Sequence, residues 1–172
     1  MYEQEAAAAL EVPLSELQPF EVQDPFNPHT LTGFICRRSD HRYGALYITN
    51  VDGEYVPQLI LCTPKFHYPM DKQGTFAFPK NVDKVEAYVK EDGSNIFGYG
   101  YKASDGELCV TYKTRLRPVL GNSKFGPFLA MWQEILSKDT ELTPGTKISW
   151  CVKQYVTKHN GYGISYELIG LR

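Results

Sequence analysis

Lys90, Glu91, Asp92 and Gly93 stand in a row, preceded by the alternating segment Val85–Val89 and followed by Ser94 and Asn95. Alternation puts Val85, Ala87 and Val89 on one face of a strand and Glu86, Tyr88 and Lys90 on the other, with Lys90 at the strand end before a tight turn. A lysine amine there can act as a nucleophile and form a covalent adduct. Its ordinary pKa of about 10.4 leaves only about one amine in a thousand neutral at pH 7.4, so neighbouring positive charge or burial must lower it. Arg42, Lys65, Arg115 and Arg117 are the candidate cations, and the same charges would hold a polyphosphate against the attacking nitrogen. Taken alone, the four residues fit an exposed hairpin turn equally well.

Other chemistries find no support in the sequence. The histidines, His29, His41, His67 and His159, form no His-Glu-x-x-His pair, and there is no Gly-x-Ser-x-Gly elbow. The glycines of Phe97–Lys102 match neither a dinucleotide fingerprint nor a phosphate-binding loop. Cys36, Cys62, Cys109 and Cys151 are far apart, without Cys-x-x-Cys spacing, and read as reduced core thiols.

The elements that must carry these residues follow from patterning. With 172 residues, 42% of them hydrophobic, the chain suits one domain with a sizeable core. No apolar run is long enough to span a membrane, and Glu3 and Glu5 stand where a signal peptide would be basic, so a soluble cytoplasmic protein is expected. Net charge is −2, but residues 1–36 hold six of the 20 acidic groups and no Lys or Arg, leaving 18 basic against 14 acidic residues in the rest. That body charge is compatible with phosphate chemistry and too small to coat DNA.

An acidic leader is assigned to residues 1–29, with a short helix ended before Pro13 and an irregular connection through Pro19, Pro25 and Pro28. From Thr30 the text is β-like, and Asp52-Gly53, Asp92-Gly93, Asp105-Gly106 and Asn160-Gly161 suggest tight hairpins. Phe125, Phe128, Leu129, Trp132, Ile135 and Leu136 fall at helical spacing, with Pro127 in the first turn, and predict a helix packed on a sheet. The expected class is α+β, mostly antiparallel sheets with a few packed helices.

The segment Lys90–Ser94 resembles nucleotidyltransferase motif I of the ATP-dependent RNA ligases that repair tRNA in T-even phages. His41–Ile48 and Thr63–Pro69 resemble segments that these ligases place before that motif; Tyr112–Pro118 resembles a following strand with a basic end, and Ile164–Gly170 resembles motif III. The resemblance runs from about Phe34 to Arg172 and implies a partial nucleotidyltransferase domain over residues 30–172. It implies that Lys90 attacks the α-phosphate of ATP and carries AMP, which passes to an RNA 5′-phosphate before a 3′-hydroxyl seals the strand. It places Arg42, Lys65, Asp92, Gly93 and Arg115 around the nucleotide, and Glu167 at the ribose or at a magnesium ion through water.

The family carries three further motifs, including a Lys-x-Lys pair, that this sequence does not show after Glu167. The expectations are therefore a missing C-terminal segment, a site completed by self-association, or a shortened, non-catalytic nucleotide- or RNA-binding module. The segment Gly161–Arg172 is expected to form an unprotected edge strand.

Overall fold

The computed structural model describes residues 2–65, 70, 72–76, 81–86, 89, 92–124, 126–139 and 147–169. Two antiparallel sheets carry the architecture. The first, in the order β1-β2-β3-β4, contains β1 (Leu17–Gln23), β2 (Thr30–Cys36), β3 (Leu46–Val51) and β4 (Glu54–Ile60). The second, in the order β6-β5-β7, contains β5 (Ser94–Lys102), β6 (Leu108–Lys113) and β7 (Gly163–Leu168). Helices α1 (Tyr2–Leu10), α2 (Phe128–Lys138) and α3 (Ile148–Lys158) complete the α+β fold.

Strand β5 explains how the layers stack. Its alternation sends Phe97, Tyr99 and Tyr101 into a core with Leu31, Ile35, Leu46 and Ile48 of the first sheet. The intervening Gly98 and Gly100 face α3, where a Cβ would stand 2.8 Å from Val152 Cγ2 and 2.6 Å from Val156 Cγ2. Only a strand without side chains on that face lets the helix approach so closely. Ile96, Tyr112, Trp132, Val152 and Val156 fill the remaining space under α2 and α3.

The leader is part of the packing. Ala6 and Leu10 of α1 are buried with Leu17, Cys36, Ala45 and Tyr47 on the outer face of the first sheet. Glu5 accepts a hydrogen bond from Tyr47 Oη at 2.6 Å and another from Tyr55 Oη. Covered by α1 on one side and the second sheet on the other, β3 is buried along nearly its whole length. Where the sequence suggests an irregular connection through Pro19, residues 17–23 form β1. Proline is tolerated there because β1 is an edge strand, and Pro57 lies likewise in β4, the opposite edge.

Two hairpin expectations hold: Asp52-Gly53 joins β3 to β4, and Asp105-Gly106 joins β5 to β6. Asn160-Gly161 instead links α3 to β7, with Gly161 at φ 80° after the helix end. Helix α2 occupies the expected stripe, and Cys36, Cys62 and Cys109 are buried thiols. Among the described residues no helix is long and apolar enough to cross a membrane.

Asp24 joins the loop after β1 to the second sheet. Its carboxylate accepts hydrogen bonds from Thr111 Oγ1 at 2.7 Å, Tyr101 Oη at 2.8 Å, Asn27 Nδ2 at 2.8 Å and the Phe26 amide at 3.0 Å. Asp24→Ala strands these donors, and urea unfolding should show a loss of about 3 kcal/mol, with a smaller loss for Asp24→Asn.

Candidate functional site

The antiparallel registers bring one end of the second sheet together. Phe97 of β5 pairs with Lys113 at the end of β6, and Asn95 pairs with Glu167 of β7. The first residues of β5, the turn after β6 and the last residues of β7 therefore share a rim. A cleft of about 720 Å³ opens there, lined by Arg37, Ser94, Asn95, Arg115, Arg117 and Lys124, with Phe128 of α2 at one wall. Among the described residues, four cationic side chains and no carboxylate line it. Such a donor set attracts a polyanion and holds phosphate oxygens through charge-assisted hydrogen bonds.

Lys113 organises the rim from beneath. Alternation puts it on the same face of β6 as Cys109 and Thr111, and it is fully buried. Its ammonium donates to Gly44 O at 2.7 Å and Arg115 O at 3.0 Å, and lies 3.6 Å from Cys62 Sγ. Burial, aided by the charges of Arg115 and Arg37 and opposed by Cys62, pulls its pKa down to about 8. The amine thus pins the β2–β3 loop and the turn after β6 beside the segment following β4. Above it, Arg115 Nη1 donates to Thr63 O at 2.8 Å, and Thr63 Oγ1 bonds Ser165 Oγ of β7. Arg37 is held by Gln18, its Nε donating to Oε1 at 2.7 Å.

The residues singled out from the sequence fall into two groups. Arg115, Gly93 and Glu167 gather at the rim. A Cβ on Gly93 would stand 2.5 Å from Leu168 O and 3.0 Å from Glu167 Cγ, so glycine is required for the chain to pass β7 on its way into β5. Asp92 is exposed just before it. Arg42 and Lys65 belong to a neighbouring cluster and do not line the cleft. Arg42 Nη2 bonds Asp40 Oδ2 at 2.6 Å, and Nη1 donates to Glu11 O at 2.6 Å and Leu10 O at 3.2 Å, capping the end of α1. These bonds hold the Asp40 carboxyl well below the usual carboxylate range. Lys65 Nζ donates to Ser39 Oγ at 2.7 Å and lies 5.2 Å from the Tyr43 ring centre, on the loop that Arg42 orders.

Lys90 and its neighbour Glu91 lie outside the described residues, as do Ala87 and Tyr88 of the expected strand. The described Val85, Glu86 and Val89 are not in a strand, and Val89 is 91% exposed. Asp92-Gly93 leads into β5, which gains its stability from pairing with both β6 and β7. Arg37, Lys113 and Lys124 are absent from the sequence-derived candidates. For Lys113 a signal existed, since a lysine in phase with the buried face of a strand is unusual.

The described residues contain no group of three His, Cys, Asp or Glu side chains arranged to hold a metal. No family model, curated protein or solved structure matches this chain.

Two measurements probe the site. Replacing Arg115 and Arg117 together by alanine should weaken binding of inorganic triphosphate about tenfold or more in calorimetry, because each removes a charge-assisted contact. Arg42→Ala should lower the melting temperature and leave that affinity nearly intact. The Lys113 prediction concerns pH. Its native amine loses the proton near pH 8, whereas an unfolded lysine keeps it to about 10.4. Over that interval the unfolded chain binds more protons, so this group's contribution to stability rises with pH. Buried Cys36 and Cys109, whose thiol pKa values are raised by burial, act in the opposite sense, so the comparison is with Lys113→Met. Between pH 8 and about 9.5 the unfolding free energy of the wild type should rise relative to that of the variant.

Proposed function

We propose that the chain is an adenylyltransferase of RNA ligase type, acting in the cytoplasm, with Lys90 as nucleophile and ATP as adenylyl donor. One observation carries this reading. The strand that follows Lys90-Glu91-Asp92-Gly93 begins at Ser94 and Asn95 on the wall of a cleft that, among the described residues, is lined by four cations and no carboxylate.

In this mechanism the triphosphate lies along Arg115, Arg117, Lys124 and Arg37, which neutralise its charge and favour a neutral lysine amine nearby. The Lys90 ammonium loses one proton to solvent, the neutral amine attacks the α-phosphorus, and the second proton it sheds as the bond forms also passes to solvent. A P–N bond forms as the P–O bond to the departing pyrophosphate breaks. The AMP is then transferred to the 5′-phosphate of an RNA, making a pyrophosphate linkage, and an RNA 3′-hydroxyl displaces AMP to close the phosphodiester. Magnesium, when bound with the triphosphate, would neutralise charge on the leaving pyrophosphate, and Glu167 is the residue assigned to it, through water, or to the ribose. Lys65 is a nucleotide contact in this scheme, while Arg42 orders the loop against which it rests. Lys113 acts through Arg115 and is a positioning residue.

A second reading, a nucleotide- or RNA-binding module without covalent chemistry, is favoured by the commitment of Arg42 to Asp40 and to the end of α1 instead of the cleft. Incubation with α-labelled ATP and magnesium separates the two. Acid-labile label on the wild type, absent in Lys90→Ala and reduced about tenfold or more in the Arg115→Ala, Arg117→Ala variant, is the expected result. Saturable ATP binding with no covalent label would establish the module and exclude the transferase.

A further inference from the structure

Helix α3 presents a second cationic surface with a different composition. Val152 and Val156 anchor it to β5, and its opposite side exposes Trp150, Lys153, Gln154, Tyr155, Lys158 and His159. No Asp or Glu occurs between Glu141 and Glu167, while Lys147, Lys153 and Lys158 fall in that interval. A groove of about 450 Å³ runs between α3 and β7, with Trp150 at one end and the Tyr155 and His159 rings at the other, their centres 4.6 Å apart. Ile164 of β7 lies along its side, and no carboxylate among the described residues lines it; Lys153 stands on the other flank of the helix, where it and Trp150 line a second hollow together with Glu107.

Trp150 is 45% exposed, and Tyr155 and Tyr162 are also exposed, yet they are set among Gln154, Thr157 and lysines. This mixture differs from the continuous apolar stripe by which a helix docks on another helix or on a membrane surface. Flat aromatic rings alternating with ammonium groups match a polymer whose bases stack and whose phosphates carry regular charge.

We infer that the outer face of α3 and its groove with β7 form a docking strip for single-stranded nucleic acid, in which bases stack on Trp150 and Tyr155 and phosphates meet Lys153 and Lys158. The strip gives RNA a place on the chain and rests on the ligase reading for the identity of the polymer. Strand β7 connects the two surfaces, since Ile164 lines the groove and Glu167 stands at the phosphate-binding rim.

The two tryptophans provide a direct readout, because Trp132 is buried at 3% exposure while Trp150 is accessible. A uridylate oligonucleotide of about 12 residues should quench Trp150 fluorescence and raise the anisotropy of a label on the RNA at low salt. Lys153→Glu with Lys158→Glu should weaken binding about tenfold or more and lower the salt dependence by about two ions. Trp150→Leu should remove the quench while the Trp132 signal reports an intact core. No binding at low salt, or equal binding by these variants, overturns the strip. So does sedimentation showing that the face is closed by a second copy and released by the two glutamates. Lys90→Ala should bind the oligonucleotide as the wild type does. A wild type that takes no label from ATP yet binds RNA through α3 would defeat the ligase reading alone; a labelled wild type whose RNA binding is indifferent to α3 would defeat the strip alone.

Discussion

The arrangement depends on an ammonium group held in the protein interior. Moving a charge out of water costs several kcal/mol unless hydrogen bonds replace the lost solvent. Lys113 finds its replacements in the carbonyls of Gly44 and Arg115, so that the β2–β3 loop and the turn after β6 must close over it. Without a carboxylate among these contacts, no opposite charge neutralises the amine locally, and its proton is held less firmly than on a surface lysine. The positive potential near the rim is therefore built partly from below, by a group that never reaches the cleft.

The second constraint is the division of labour along β5. One face supplies aromatic rings to the core between the sheets; the other supplies glycines under α3. The segment therefore serves neither nucleotide phosphates nor a flexible hinge. Its glycines let α3 lie flat on the sheet, leaving the far side of the helix free to carry polar and aromatic groups. Packing on one side of this strand and the composition of the molecular surface two layers away are thus linked by the absence of two side chains.

How much of this is legible in the sequence varies by element. The stripe of α2 is legible because apolar residues recur at helical spacing beside Pro127. Helix α3 is harder to recognise, since Ile148, Val152, Val156 and its aromatic residues have strand-like propensity, and tertiary packing on Gly98 and Gly100 overrides it. Strand β1 is masked by Pro19, which is damaging in a central strand and harmless at an edge. Of the candidates taken from their order along the chain, Arg115, Gly93 and Glu167 share the rim. Their assembly with Arg37 and Lys124 depends on the way β2 and the start of α2 approach the second sheet, which no local pattern encodes. Arg42 illustrates the converse: its residue type suits phosphate binding, while its distance from α1 in space decides what it does.

The prolines in β1 and β4 have a consequence for assembly. Each removes a backbone donor from one rim of the four-stranded sheet, so neither rim offers an unbroken ladder to an incoming strand. The rims of the second sheet, β6 and β7, contain no proline. On β6, however, the outward carbonyls of Val110 and Tyr112 already accept from Asn27 Nδ2 at 2.8 Å and from the Leu120 amide at 2.6 Å, so a strand added at that rim would have to displace both.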